Sequence, residues 1–363
     1  MQSFYQGKRV FVTGGWGFIG SNVALALVRL GAEVVVADSR EPGCGANEFN
    51  LAEAEGRIAL IPADIAEAGR IEPALQGCDV VFNLAGEISH IHSIRYPERD
   101  LDLNLRSQLT FLRSCQKGAP RARVVYASSR QLYGVPEYLP VDERHPIRPV
   151  DFNGVHQWAA ENYHLLFSNL FSLDVTCLRL TNVYGPRQSL LRPCQGFIGT
   201  FVRLALHGEK ISVYGDGLQL RDMLFVDDAV EAFLLAGASG DPGAQIYNVG
   251  GPEALSLRQI AELTADAAGG AGVECVPFPE DRKPIDIGSY YSDSSRIRRD
   301  LGWQPRTSFA EGVRQTIAFY RRFPEQYLNG PIHPPCQLAT LHRQLPEPVG
   351  RSQVGLGAFP TPR

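Results

Sequence analysis

The segment Gly14-Gly15-Trp16-Gly17-Phe18-Ile19-Gly20 places glycines at Gly14, Gly17 and Gly20. It follows the run Val10-Phe11-Val12-Thr13 and precedes an apolar-periodic stretch from Ser21 to Leu30. A strand, a G-x-x-G-x-x-G turn and a helix in that order turn backbone N–H groups and the positive end of a helix toward a phosphate. A side chain at the tight turn would block a pyrophosphate, and one at the last glycine would push helix from strand. With Phe18 and Ile19 opening the helix, the turn predicts dinucleotide binding. The next run, Glu33-Val34-Val35-Val36-Ala37, ends at Asp38. A carboxylate there accepts hydrogen bonds from the adenosine ribose and repels a 2′-phosphate, so NAD is expected over NADP. Arg40 is discordant, since a nearby guanidinium favours that same phosphate.

Such a site needs a sheet to hold it. Further short runs at Ile58-Ala59-Leu60-Ile61, Val80-Val81-Phe82-Asn83, Val124-Val125-Tyr126-Ala127 and Val175-Thr176-Cys177-Leu178-Arg179 alternate with amphipathic stretches. Strands spaced by helical patterns imply right-handed βαβ units and a parallel sheet covered on both faces. The expected fold is α/β, a Rossmann-type doubly wound parallel sheet with a smaller C-terminal substrate lobe. Residues 1–184 would form the NAD-binding domain, with the last sheet strands drawn from later residues, and 185–329 mainly the substrate lobe. Within that lobe, helical stretches at 197–207, 227–237, 256–268 and 309–322 are split by short strands and turns such as Tyr214-Gly215-Asp216-Gly217. Residues 330–363 carry Pro331, Pro334, Pro335, Pro346, Pro348, Pro360 and Pro362 and read as an extended or partly disordered tail.

Composition excludes several other classes. The 363 residues are 44% hydrophobic and 20% charged with a net charge of −4, which argues against nucleic-acid or anionic-membrane partners. No apolar run approaches the roughly 18 residues of a membrane span. The early strand after Lys8-Arg9 leaves no room for a signal peptide. The seven cysteines are scattered without a C-x-x-C or a His/Cys cluster, so no metal site and no disulfide framework follow. A reduced cytoplasmic protein is expected.

Taken together, the motifs resemble those of the extended short-chain dehydrogenase/reductases that act on nucleotide sugars, over residues 8 to about 322. Asp64-Ile65 matches the acidic pair at the adenine, Leu84-Ala85-Gly86 the segment under the cofactor, and Asn104 the helix asparagine that braces the sheet. Tyr126-Ala127-Ser128-Ser129, running on to Leu132-Tyr133-Gly134, matches the strand with the active-site hydroxyl, which falls on Ser129. Arg179-Leu180-Thr181-Asn182-Val183-Tyr184-Gly185-Pro186 matches the turn into the substrate lobe. Arg221-Asp222 and Asp281-Arg282-Lys283 match segments that grip the nucleotide and its diphosphate. The resemblance implies tightly held NAD, a nucleotide-sugar or nucleoside ligand touching Ser129, Asn182, Arg221 and Arg282, and a homodimer through helices at 104–115 and 154–167.

It breaks at the catalytic Tyr-x-x-x-Lys. Asn153-Gly154-Val155-His156-Gln157-Trp158-Ala159-Ala160-Glu161 aligns without gaps, putting Asn153 at the tyrosine and Gln157 at the lysine. An offset of one pairs Phe152 with His156 and supplies no phenol either. An amide cannot take the proton of a sugar hydroxyl, although Gln157 can still bond the nicotinamide ribose. Three outcomes stay open: epimerisation through a transient keto intermediate with a non-standard base, NAD-dependent dehydration, or a pseudoenzyme. Glu87, directly after Gly86, is the first candidate base, or else it orients the cofactor or a neighbouring loop; His90, His92 and His156 are weaker candidates. The Asp-Glu pair that follows the hydroxyl in related dehydratases is Arg130-Gln131 here.

Overall fold

The computed structural model describes residues 1–329 apart from 42–43, 192–195 and 241–242, so the proline-rich 330–363 segment lies outside the described residues. The β-branched runs become parallel strands β1 (Arg9–Thr13), β2 (Glu33–Asp38), β3 (Ile58–Pro62), β4 (Val80–Asn83), β5 (Arg123–Ser129), β6 (Asp174–Leu180) and β7 (Gln245–Val249). Their order is β7-β6-β5-β4-β1-β2-β3. The expected doubly wound sheet is present, and its edge strand beside β6 is Gln245–Val249. Val12 lies between Val36 and Phe82 in register, which puts the crossover from one half of the sheet to the other between β1 and β4. A crevice at that point, outside the carboxyl ends of the strands, is where ligands of open α/β sheets bind.

Helices cover both faces. Val10 and Val12 pack with α1 (Phe18–Arg29), while Phe11 points the other way, against Phe111 of α2 (Ser107–Gly118) and the core below α3 (Phe152–Phe171). This burial on both sides explains the unbroken apolar runs. Beyond β6, strands Asn182–Tyr184, Leu220–Phe225 and Ala254–Ser256 form a three-stranded sheet, and Ile211–Tyr214 pairs with Val273–Val276. Helices Phe197–Leu206, Leu257–Ala267 and Phe309–Arg322 close a second core around Tyr184, Phe225, Ile260 and Tyr320.

One buried polar chain ties the sheet to the site. Thr13 Oγ1 accepts the N–H groups of Leu84 (2.9 Å) and Ala85 (3.0 Å) and donates to Asn83 Oδ1. Asn83 Nδ2 donates to Gln108 Oε1 at 2.7 Å and to His164 Nε2 at 3.1 Å. Burial lowers the His164 imidazole to about 4, so the ring stays neutral and can accept that bond. His164 stacks on Tyr126 at 4.0 Å, and the Tyr126 hydroxyl donates to Gln157 Oε1 at 2.8 Å. The strand ends that carry the site are therefore fixed by hydrogen bonds as well as by packing.

Candidate active site

The glycine turn crosses the crevice between β1 and the start of α1. Gly14 has φ +66°, and a Cβ there would stand 3.0 Å from the Leu84 carbonyl. At Gly20 a Cβ would stand 2.2 Å from the Gly14 carbonyl, so neither position accepts a side chain without moving backbone. The pocket is walled by Gly14, Gly17, Phe18, Ile19 and Gly20, by Asp38, Asp64 and Ile65, and by Leu84-Ala85-Gly86. These are the cofactor residues predicted from sequence, brought into one cleft. Asn104 and Gln157 stand just behind it. The Asn104 Oδ1 accepts the Glu87 N–H at 2.8 Å, and a Cβ on Gly86 would meet Asn104 Oδ1 at 2.9 Å and Gln157 Nε2 at 3.9 Å. Asn104 lies in a widened helical turn, Asp102–Arg106, of the kind often found at functional sites.

Asp38 closes the far end. Its carboxylate accepts the N–H of Trp16 at 3.0 Å and of Arg40 at 2.8 Å, and burial raises its carboxyl above the usual range. Arg40 does not contest the ribose. Its backbone is left-handed (φ +55°), its guanidinium lies 4.5 Å over the Trp16 ring, and it pairs with Glu48 at 2.5 Å. Among the described residues no unpaired cation stands there for a 2′-phosphate, so these residues fit NAD.

Toward the substrate lobe, Ser129 ends β5 and caps the turn Arg130–Tyr133 by accepting the Gln131 N–H at 3.2 Å. Arg130 lies 5.0 Å over the Tyr290 ring, with Asn182 Oδ1 at 3.5 Å. Arg221 is buried and donates to the carbonyls of Leu220 and Gly288; burial and the charge of Arg130 bring it down to about 10. Neither guanidinium forms an ion pair among the described residues. Burial raises the neighbouring Asp222 carboxyl to about 7, which weakens it as a counter-charge. Among the described residues, Asn182 Nδ2 and Thr181 Oγ1 are buried polar atoms with no hydrogen-bond partner. Arg282 lies 5.6 Å over the Tyr214 ring.

At the break in the motif, Asn153 is fully buried, and its Nδ2 donates to the Glu87 carbonyl (2.8 Å) and to Asp100 Oδ2 (2.9 Å). His156 bonds the other Asp100 oxygen at 2.7 Å. Glu87 turns its carboxylate into its own loop: Oε1 accepts the N–H groups of Ile88 and Ser89, each at 3.0 Å. Burial raises its carboxyl, although the Cys44 thiol and those two N–H groups act against the shift. This geometry favours the loop-orienting role for Glu87 over the proton-accepting one. Sequence reasoning missed Asp100 and Asp151. The only signal for Asp151 is its place three residues before Gly154, whose N–H it caps at 2.8 Å.

Fold and cleft together define a dinucleotide-dependent protein of the Rossmann type. A model of the NAD dependent epimerase/dehydratase family matches residues 10–250. The chain is 32% identical over 319 residues to a UDP-glucose 4-epimerase of Mycolicibacterium smegmatis, covering 86% of this chain and 98% of that one. Among solved structures, a UDP-glucose 4-epimerase of Thermotoga maritima with UDP-glucose superposes with a TM-score of 0.78 at 29% identity, covering 86% and 99% of the two chains. A dTDP-glucose 4,6-dehydratase of Streptomyces venezuelae with NAD bound gives 0.79 at 29% identity, covering 88% and 99%. The chain belongs to the NAD dependent epimerase/dehydratase family and is an NAD-dependent enzyme of that family. Among the described residues no helix is long and apolar enough to cross a membrane.

Proposed function

We propose that the protein epimerises a carbinol centre of a nucleotide-linked sugar or nucleoside through a transient keto intermediate. The observation that carries this reading is the pair Arg130 and Arg221. Two neighbouring guanidiniums that form no ion pair among the described residues, on the same strand-end side as the NAD cleft, suit a ligand rich in phosphate. Bound NAD supplies a hydride acceptor that also returns the hydride, so none is consumed. The chain's residues do the rest: Ser129 and Asn182 hold the sugar, Arg221 and Arg282 hold the diphosphate, and Gln157 with Asn104 keeps the floor at Gly86 rigid. Arg130-Gln131 replaces the acidic pair of related dehydratases, which favours epimerisation over elimination.

UDP- and dTDP-hexoses incubated with the protein in deuterated water test this directly. The expected result is an epimer mixture carrying no solvent deuterium, with transient NADH absorbance. Deuterium entering the sugar would mean dehydration. An unchanged sugar and a silent cofactor with every hexose would sink the reading.

We also propose a homodimer through the helices at 104–115 and 154–167. Val155, Trp158, Leu166 and Leu170 of α3 are exposed, an apolar face that a second copy would cover. Light scattering should give about twice the chain mass of 39.9 kDa. Trp158→Arg should halve that value, and a monomeric wild type would refute the arrangement.

A further inference from the structure

His90 opens the short helix His90–Arg95, whose cap Ser89 accepts the His92 N–H at 3.1 Å. The turn is fixed from three sides, by the Glu87 carboxylate on Ile88 and Ser89, by Asn104 on the Glu87 N–H, and by Asn153 on the Glu87 carbonyl. The His90 Nδ1 meets Oδ2 of Asp151, whose side chain is only 1% exposed and whose other oxygen is held by the Gly154 N–H. On the far side of the ring, Nε2 lies 2.8 Å from Gln131 Nε2. That same amide nitrogen lies 3.1 Å from the Ile88 carbonyl, which can only accept. The amide therefore presents NH2 groups, and Nε2 must accept. The ring is fixed as the neutral tautomer, with its proton on Nδ1 and a lone pair on Nε2. Ile88 walls the cofactor pocket, Gln131 follows Ser129 by two residues, and the His90 side chain is 31% exposed, so the ring stands beside both the NAD cleft and the active-site hydroxyl.

We propose that His90, oriented by Asp151, takes the proton of the reacting sugar hydroxyl in place of the phenol that Asn153 lacks. The inference rests on the epimerase reading above. In the forward step the carbinol O–H proton passes to His90 Nε2, the carbinol C–H hydrogen leaves as hydride to NAD, and the C–O bond becomes C=O. In the return step the hydride comes back to the carbon and the imidazolium gives its proton back to the oxygen. A substrate hydroxyl takes over the place of the Gln131 N–H at Nε2. Asp151 balances the transient imidazolium and keeps the ring from turning. Burial opposes ionisation of Asp151, yet the His90 hydrogen bond, the Gly154 N–H and nearby Arg130 hold its carboxyl below the usual range, so it stays anionic. Among the described residues these are the groups that act on Asp151, and neutral Gln131 meets the other ring nitrogen of His90. The rival groups are engaged elsewhere: Glu87 caps its own loop, His156 is nine-tenths buried against Asp100, and Asn153 and Gln157 are amides.

The test uses the full-length protein with two variants, His90→Asn and Asp151→Asn. Nitrogen-15 histidine spectra of the free protein should show Nε2 of His90 unprotonated at neutral pH. UDP-glucose or dTDP-glucose should shift the Nε2 resonance. In single turnover, His90→Asn should slow NADH formation by about 10²–10⁴-fold, the usual worth of general-base assistance, while NAD affinity stays within about threefold. Asp151→Asn should slow it less and shift the His90 nitrogen resonances, because it changes the partner of Nδ1. Active wild type with His90→Asn within a few-fold of it overturns the proposal alone, as does an Nε2–H tautomer. Inactivity of wild type on every hexose overturns the epimerase reading, and this inference falls with it.

Discussion

Glu161→Ala should destabilise the protein by roughly 3–5 kcal/mol, the range seen when one partner of a buried ion pair is removed. The Glu161 and Arg179 side chains are 1% and 4% exposed, and the guanidinium engages both carboxylate oxygens, at 2.6 and 3.0 Å. Ser128 Oγ donates to the same carboxylate at 2.6 Å. Truncation would leave a buried cation and a buried hydroxyl short of their acceptor. The damage should spread toward the site. Arg179 also donates to the Tyr133 hydroxyl (2.7 Å), which donates to Asn248 Oδ1 (2.7 Å), and Asn248 Nδ2 holds the Val141 carbonyl. That chain fixes β5, β6 and β7 behind the Ser129 turn. Urea unfolding with an unchanged m-value is the measurement, and Glu161→Gln should lose less because it keeps shape and one acceptor. A loss under about 1 kcal/mol would show that the pair is not the brace described here.

The cofactor half of the molecule was legible because its physics is local. A glycine turn after an apolar strand and a carboxylate after the next one are readable at fixed spacing, and the cleft gathers Gly14, Gly17, Gly20 and Asp38 as expected. Arg40 was not legible, because its orientation depends on a left-handed backbone, a stacked Trp16 and a distant Glu48. The same holds for Glu87: the sequence places it beside the nicotinamide segment but cannot show that its carboxylate folds back on Ile88 and Ser89. The dyad is the clearest case, since His90 and Asp151 lie 61 positions apart in sequence and meet only once β4 and α3 are packed. The last strand, Gln245–Val249, carries Tyr247 and Asn248 among its apolar residues, and its place is set by pairing with β6 rather than by its own pattern.

Restoring the absent pair with Asn153→Tyr and Gln157→Lys should lower stability by at least about 3 kcal/mol and yield no fast epimerase. A family-like phenol at residue 153 would have to enter a site with no exposed surface, and overpacking alone typically costs about 1–3 kcal/mol. It would also remove the two hydrogen bonds that Asn153 makes to the Glu87 carbonyl and to Asp100, leaving both acceptors short of a donor in the interior. At residue 157 the change deletes an acceptor, because Gln157 Oε1 takes the Tyr126 hydroxyl proton and an ammonium has no lone pair to offer. The floor beneath Gly86 would loosen while Asp151 and His90 stayed arranged for the proton path proposed above. Melting curves read the first effect, and single-turnover NADH formation with UDP-glucose and dTDP-glucose reads the second. A stable double variant that turns over more than about tenfold faster than wild type would show that the phenol fits and that the chain is an ordinary member of its family carrying two damaging substitutions.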